Sequence, residues 1–190
     1  MLTTLATVKA ELGITGTDDD AYLETLIEQA SASIETFCGR SFASASQAQT
    51  FRLDRWRERL MLDRTPVASV ASVVLNGTTL DGAAVEVESP GAGFLLRVDG
   101  NGCSLGWPAG RVVVTYTAGY ASTPADVERC CIDLVKLSYF ARGRDPVLRS
   151  EKILDVIDQS WFDPDKVEMR GGLPADIADR LDAYRMVTIA

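Results

Sequence analysis

A chain of 190 residues suits one domain built on one core, with residues left over for arms or loops. Its 46% hydrophobic and 24% charged residues make a globular balance rather than a disordered one, and no apolar run approaches the roughly 20 residues a membrane helix needs. The formal charge of −8 argues against a dedicated DNA-binding domain, though not against a surface past which DNA slides, and the absence of His excludes Ser-His-Asp and Cys-His catalysis and His-ligated metals.

The opening MLTTLATVKAEL lacks the basic start and cleavage site of a signal peptide, so a soluble, cytoplasmically made protein with no membrane partner is expected. Residues 3–12 read as a short helix with Leu5, Val8 and Leu12 on one side, stopped by Gly13. Thr17 or Asp18 then caps a longer helix over 18–38. Asp18, Asp19 and Asp20 suit its N-terminal dipole better than they suit a metal. Leu23, Leu26, Ile27, Ala30, Ile34, Phe37 and Cys38 form its apolar stripe, Glu24, Glu28, Gln29 and Glu35 its polar side, and Gly39 its C-terminal cap.

From about 47 to 118 the period becomes strand-like, with TFRLDRW, RLMLDR, ASVASVVLNG, AVEVES, GFLLRVDG and RVVVTYT separated by Gly-rich turns. Asn76-Gly77 signals a hairpin, and Pro66 interrupts pairing after the LML run. A helix over 124–142 follows, with Pro124 in its first turn. Its Val127, Cys130, Cys131, Ile132, Leu134, Val135, Leu137, Tyr139 and Phe140 occupy almost every side, so it must be buried in a core or against other chains. Residues 147–162 suit a strand or a helix equally, DPDKVEMRGG reads as linker, and 174–185 as a short amphipathic helix. The expected fold is therefore α+β. A mainly α-helical bundle (helices about 3–12, 18–38, 124–142 and 174–185) packs with an inserted antiparallel β-region at about 47–118 and carries a C-terminal arm. These make one domain over 1–190, divided as 1–46, 47–118, 119–146 and 147–190.

Few motifs point to chemistry. Gly102-Cys103-Ser104-Leu105-Gly106 matches G-x-S-x-G, but it lies between turns, without the helix and His base that a nucleophile elbow needs. Asp99-Gly100-Asn101-Gly102 begins like a calcium loop whose last ligand position falls on Gly110. Cys38, Cys103, Cys130 and Cys131 show no metal spacing and read as buried, reduced thiols. Neither a catalytic residue, a cofactor nor a metal site is expected. Arg52, Arg55, Arg57, Arg59 and Arg64 gather around Trp56. They form either a contact for an acidic protein or a DNA backbone, or a solvated hairpin edge kept from aggregating.

The order of these features resembles the head–tail connector (adaptor) proteins of tailed bacteriophages and gene transfer agents. The residues that carry the resemblance are LATVKAELGI, the DDD turn and helix ending in Gly39-Arg40, and the run Leu60, Leu62, Pro66, Val67, Ser69, Val70, Ser72, Val73. Val112, Val114, Tyr116, Ala118, Gly119, Tyr120, a Pro-x-Asp-Val helix start and the closing GGLPADIADRLDAYR complete it. The resemblance implies a non-enzymatic virion-neck protein that forms a ring, dodecameric in number, below the portal protein. Such a ring extends the DNA channel for passing, unspecifically bound genomic DNA and joins the capsid to the tail machinery.

The resemblance makes Ile153, Leu154, Val156, Ile157, Trp161, Phe162, Leu173, Ile177, Leu181 and Tyr184 candidate portal contacts. Ile132, Val135, Lys136, Tyr139 and Phe140 are candidates for the contact between subunits. Glu24, Glu28 and Glu35 are candidates for the channel lumen, although any solvated helix shows such a face. A stopper or tail-completion protein is the neighbouring reading and also a candidate partner. A carboxylate-based enzyme is the distant one.

Overall fold

The computed structural model describes residues 1–142, 150–153, 157–160 and 168–186, and divides the chain into two units, Met1–Arg40 with Thr123–Ala190, and Ser41–Ser122.

The first unit is helical. Helix α1 (Leu5–Leu12) starts where the Thr4 hydroxyl accepts the Thr7 N–H, and α2 (Asp20–Cys38) buries the whole stripe from Leu23 to Cys38 expected of it. Both end on a glycine in left-handed conformation, Gly13 at φ 70° and Gly39 at φ 64°. The start of α2 departs from expectation. Its cap is Asp19, whose side chain makes no cap hydrogen bond. That carboxylate is held elsewhere: Tyr139 Oη donates to Asp19 Oδ2 at 2.8 Å and Arg142 Nη1 to Oδ1.

Helix α3 (Ala125–Phe140) begins after Pro124, which stands at the cap rather than inside the first turn. It buries Val127, Cys130, Cys131, Ile132 and Val135 and packs on α1, α2 and α4 (Ala175–Leu181). A seven-residue helix does not hold its shape alone in water. Here Leu173, Ile177, Ala178 and Leu181 are buried, and full burial of a Leu or Ile contributes about 1.5–3 kcal/mol. That is enough to fix α4 as the outer wall of α3. After α4 comes a 3₁₀ turn, Asp182–Tyr184, and the Met186 N–H donates to the Cys38 carbonyl at 2.8 Å, returning the chain to the end of α2. Ahead of α4, β10 (Met169–Arg170) and β11 (Leu173–Pro174) pair across Gly171-Gly172, where composition reads as linker. Two further strands, β8 (Ser150–Ile153) and β9 (Ile157–Ser160), pair antiparallel with each other.

Polar contacts rim this unit. Lys9 pairs with Asp20 at 2.5 Å, Arg180 with Asp133 at 3.0 Å, and Glu11 receives Lys136 at 2.5 Å and Arg129 at 3.2 Å. The Lys136 hydrogen bond, then its charge and that of Arg129, hold the Glu11 carboxyl below its usual range. For Asp19 the Tyr139 hydrogen bond comes first, then Arg142. Cys38, Cys130 and Cys131 are buried, and burial pushes the Cys38 thiol up to about 11. Cys103, expected to be buried, is exposed because it lies in a loop.

The second unit is two antiparallel sheets on one core. Strands β1 (Ala45–Leu53), β3 (Val67–Leu75), β4 (Thr78–Thr79) and β7 (Gly110–Ala118) form a sheet in the order β1-β7-β3-β4. Strands β2 (Arg59–Met61), β5 (Val85–Ser89) and β6 (Phe94–Arg97) form the other, in the order β2-β6-β5. Strict alternation along β7 turns Val112, Val114, Tyr116 and Ala118 inward, where they meet Leu60, Leu62, Leu95 and Trp107. Asn76 at φ 50° and Gly77 at φ 88° make the expected two-residue hairpin between β3 and β4. The Thr65-Pro66 bond is cis, and Pro66 sits where the chain leaves β2 for β3.

One proportion differs from expectation. The chain is α+β, but strand is about as abundant as helix, so "mainly helical" does not hold. Strands β1, β3 and β7 each run nine residues, while α1 has eight and α4 seven. Among the described residues no helix is long and apolar enough to cross a membrane.

Gly119 closes β7 at φ 111°, and a Cβ there would lie 2.8 Å from the Ala43 carbonyl carbon and 2.9 Å from Ser44 Cα. Both are backbone atoms and cannot swing aside. Gly119→Val is therefore expected to lower the stability of the β-unit by roughly 1–3 kcal/mol, read from the denaturant midpoint. Acid tests the helical unit. Carboxyls lowered by folding add stability above their unfolded values, and that stability is lost as pH falls through the folded ones. The wild-type thermal midpoint should fall between about pH 5 and pH 3 more steeply than that of an Asp19→Asn, Glu11→Gln variant, measured by circular dichroism.

Candidate functional site

The motifs singled out for chemistry lie in one loop of the β-unit. The Asp99 carboxylate accepts the Asn101 and Cys103 N–H groups at 2.9 and 2.8 Å, closing its own loop. Ser104 lies in that loop, bridged to Val98, with Gly102 at φ 79° and no helix behind it. Among the described residues no group of three His, Cys, Asp or Glu is placed to hold a metal ion.

Of the candidate portal contacts, Leu173, Ile177 and Leu181 are buried in the chain's own helical unit, and Tyr184 is half-buried beside them. These side chains hold the C-terminal segment to α3. Ile153 and Ile157 are register partners closing the β8–β9 hairpin. Leu154, Val156, Trp161 and Phe162 lie outside the described residues.

Of the candidate subunit contacts, Ile132 and Val135 are buried within this chain, Lys136 pairs with Glu11, and Tyr139 donates to Asp19. Phe140 is open, 71% exposed, with its ring 5.8 Å from that of Tyr139. Leu137, three residues before it on the same face, is 55% exposed and was not among the sequence candidates. With half-buried Leu134 these residues make an apolar stripe at the C-terminal end of α3. An apolar residue at every angle of the helix gave no sequence signal for which one stays open.

The acidic candidates lie as their period demands, with Glu24 and Glu28 exposed on α2 and Glu35 half-buried. The arginines split. Arg59 is neutralised by Glu88 at 2.9 Å and Glu58 at 3.6 Å, and its guanidinium lies 5.7 Å from the centre of the Phe94 ring. Arg64 donates to the Ala43 carbonyl. Arg52, Arg55 and Arg57 are exposed, and Arg52 stands directly opposite Arg111 of β7. Arg111 is a member of this group that a reading of the 52–64 stretch misses, because it is 59 residues away in sequence and arrives only by strand register. Trp56, 59% exposed, rests on Gly106, where any Cβ would collide with its ring. Reciprocal backbone hydrogen bonds between Arg57 and Trp107, at 2.9 and 2.6 Å, fix this loop to the edge of the core.

Solved structures with the same fold come from gene transfer agent particles. A chain from the neck of the empty particle, computed with C6 symmetry, is 19% identical with a TM-score of 0.59, covering 100% of this chain and 92% of that one. One from the neck of the native particle, computed with C12 symmetry, is 19% identical at 0.57, covering 98% and 90%. One from the virion of the native particle is 20% identical at 0.58, covering 100% and 92%. A search of curated proteins finds no match. The head completion protein family matches residues 1–144, most of the chain, while the closing GGLPADIADRLDAYR of the connector resemblance lies outside that match. The chain belongs to the head completion protein family.

Proposed function

We propose that this chain is a structural, non-enzymatic component of the neck of a tailed phage or gene transfer agent particle, where it joins the head to the tail machinery. It acts as an adaptor: copies form a ring under the portal, dodecameric in number, and prolong the channel through which genomic DNA passes. The observation that carries this reading is the family match over residues 1–144, on a fold shared along its length with chains from particle necks. The net charge of −8 per copy suits a channel that does not hold DNA.

The C-terminal segment divides its work. Leu173, Ile177 and Leu181 anchor it to the helical unit, and residues 147–162, with the β8–β9 hairpin among them, reach the portal. Removing 147–190 would also strip α3 of its wall, so the discriminating variant deletes 147–162 and joins the ends with a short Gly/Ser linker. This variant is expected to fold, by circular dichroism, and to lose capture by purified portal protein. Undiminished capture would remove the portal assignment from this segment. Capture by tail-tube protein in place of portal would favour a tail-completion role over an adaptor.

A further inference from the structure

The charge of this chain is segregated. Within residues 41–122 acids and bases balance, so the whole formal charge of −8 falls on the helical unit. Inside the neutral β-unit, exposed arginines go unanswered by any carboxylate: Arg52 lies at the end of β1, one residue before its last, and Arg55 and Arg57 follow in the next loop. Among the described residues Arg52, Arg55, Arg57 and Arg111 have no ion-pair partner, and Arg52 and Arg111 face each other across β1 and β7. Like charges directly opposite on a sheet destabilise it. Exposed Asp18 in the turn before α2 and exposed Glu24 and Glu28 on α2 likewise have no partner among the described residues, and Glu24 and Glu28 repel at i,i+4 spacing. The other two acids of the DDD turn are already engaged, Asp19 by Tyr139 and Arg142 and Asp20 by Lys9. Each surface thus carries a self-repulsion that the other would relieve.

We propose that the arginine-rich tip around Trp56 docks on the acidic face of α2 of a second copy of this chain. A cyclic ring of more than two copies requires a heterologous contact, two different patches on each copy that fit one another. These patches meet that requirement by sign. Trp56 supplies a large, rigid contact surface between Arg55 and Arg57, and Trp and Arg are the residue types that dominate binding at interfaces. Its seat on Gly106 and the Arg57–Trp107 backbone pair hold it ready before contact. The proposal rests on the ring reading above, and it assigns Glu24 and Glu28 to the contact between copies rather than to the lumen.

Charge reversal on the full chain tests it. Sedimentation velocity compares wild type, Arg55→Glu with Arg57→Glu, Glu24→Arg with Glu28→Arg, and all four changes together, with circular dichroism confirming the fold of each. Wild type is expected to self-associate at about 0.05 M salt and to dissociate at about 0.5 M. Either pair alone should raise the concentration needed for assembly by about tenfold or more, and the fourfold variant should recover to within a few-fold of wild type. Failure of the fourfold variant to recover overturns the pairing. Unchanged assembly of the Glu24, Glu28 variant returns those acids to the lumen and also overturns it, as does a wild type monomeric at every concentration and salt. Duplex DNA binding by fluorescence anisotropy, lost on reversing Arg55 and Arg57 and not recovered in the fourfold variant, would assign the tip to DNA instead. Each of these outcomes leaves the neck function standing, since that reading fails only if portal and tail proteins both go uncaptured.

Discussion

Helix α3 presents apolar groups at nearly every angle, and a helix of that kind needs walls on several sides before it is stable in water. The helical unit is organised around that need. Helices α1 and α2 come from the start of the chain, α4 from its end, and all three pack on α3. The Met186–Cys38 hydrogen bond ties the last described residue to the end of α2. Segments on both sides of the β-unit in sequence are therefore structural parts of one core. The ion pairs at the rim, Arg180–Asp133 and Lys136–Glu11 among them, are exposed and contribute little energy each.

Because the helical unit is assembled from both ends, the β-unit is an insertion between residues 40 and 123, with its own two-sheet core around Tyr116 and Trp107. Tyr116 does more than fill space. Its hydroxyl joins Gln47, Gln49 and the Arg64 N–H, so β1, β7 and the turn before Pro66 share one polar node. A scaffold stapled in this way can hold the exposed Trp56 and the unpaired Arg55 and Arg57 in a fixed loop, where a mobile loop would lose that freedom on binding. The chain has no His, and the Asp99 carboxylate is taken up by its own loop.

Much was legible in the sequence because it is local. The stripe of α2, the glycines ending α1 and α2, the alternation of β7 and the Asn76-Gly77 hairpin each depend on residues within a turn or two, and the structure has them all. The family resemblance was legible for the same reason, as an order of local signals. The proportion of helix to strand was misjudged because the apolar all-round α3 draws attention, whereas long alternating strands such as β1 read as a string of short runs.

By itself, then, the sequence determined which residues seek burial, where helices stop, where the hairpin turns and which catalytic chemistries are closed. Only the tertiary structure decided what covers what. Leu173, Ile177 and Leu181 became the wall of α3 while Leu137 and Phe140 stayed open, a choice that periodicity cannot make because it marks apolar faces without naming their partners. Asp19 stands at the cap of α2 but gives its carboxylate to Tyr139, 120 residues away, and Arg111 joined Arg52 through strand register. Charge partners separated by half the chain meet only after folding has placed their backbones, so the division of the arginines into neutralised and free ones belongs to the fold.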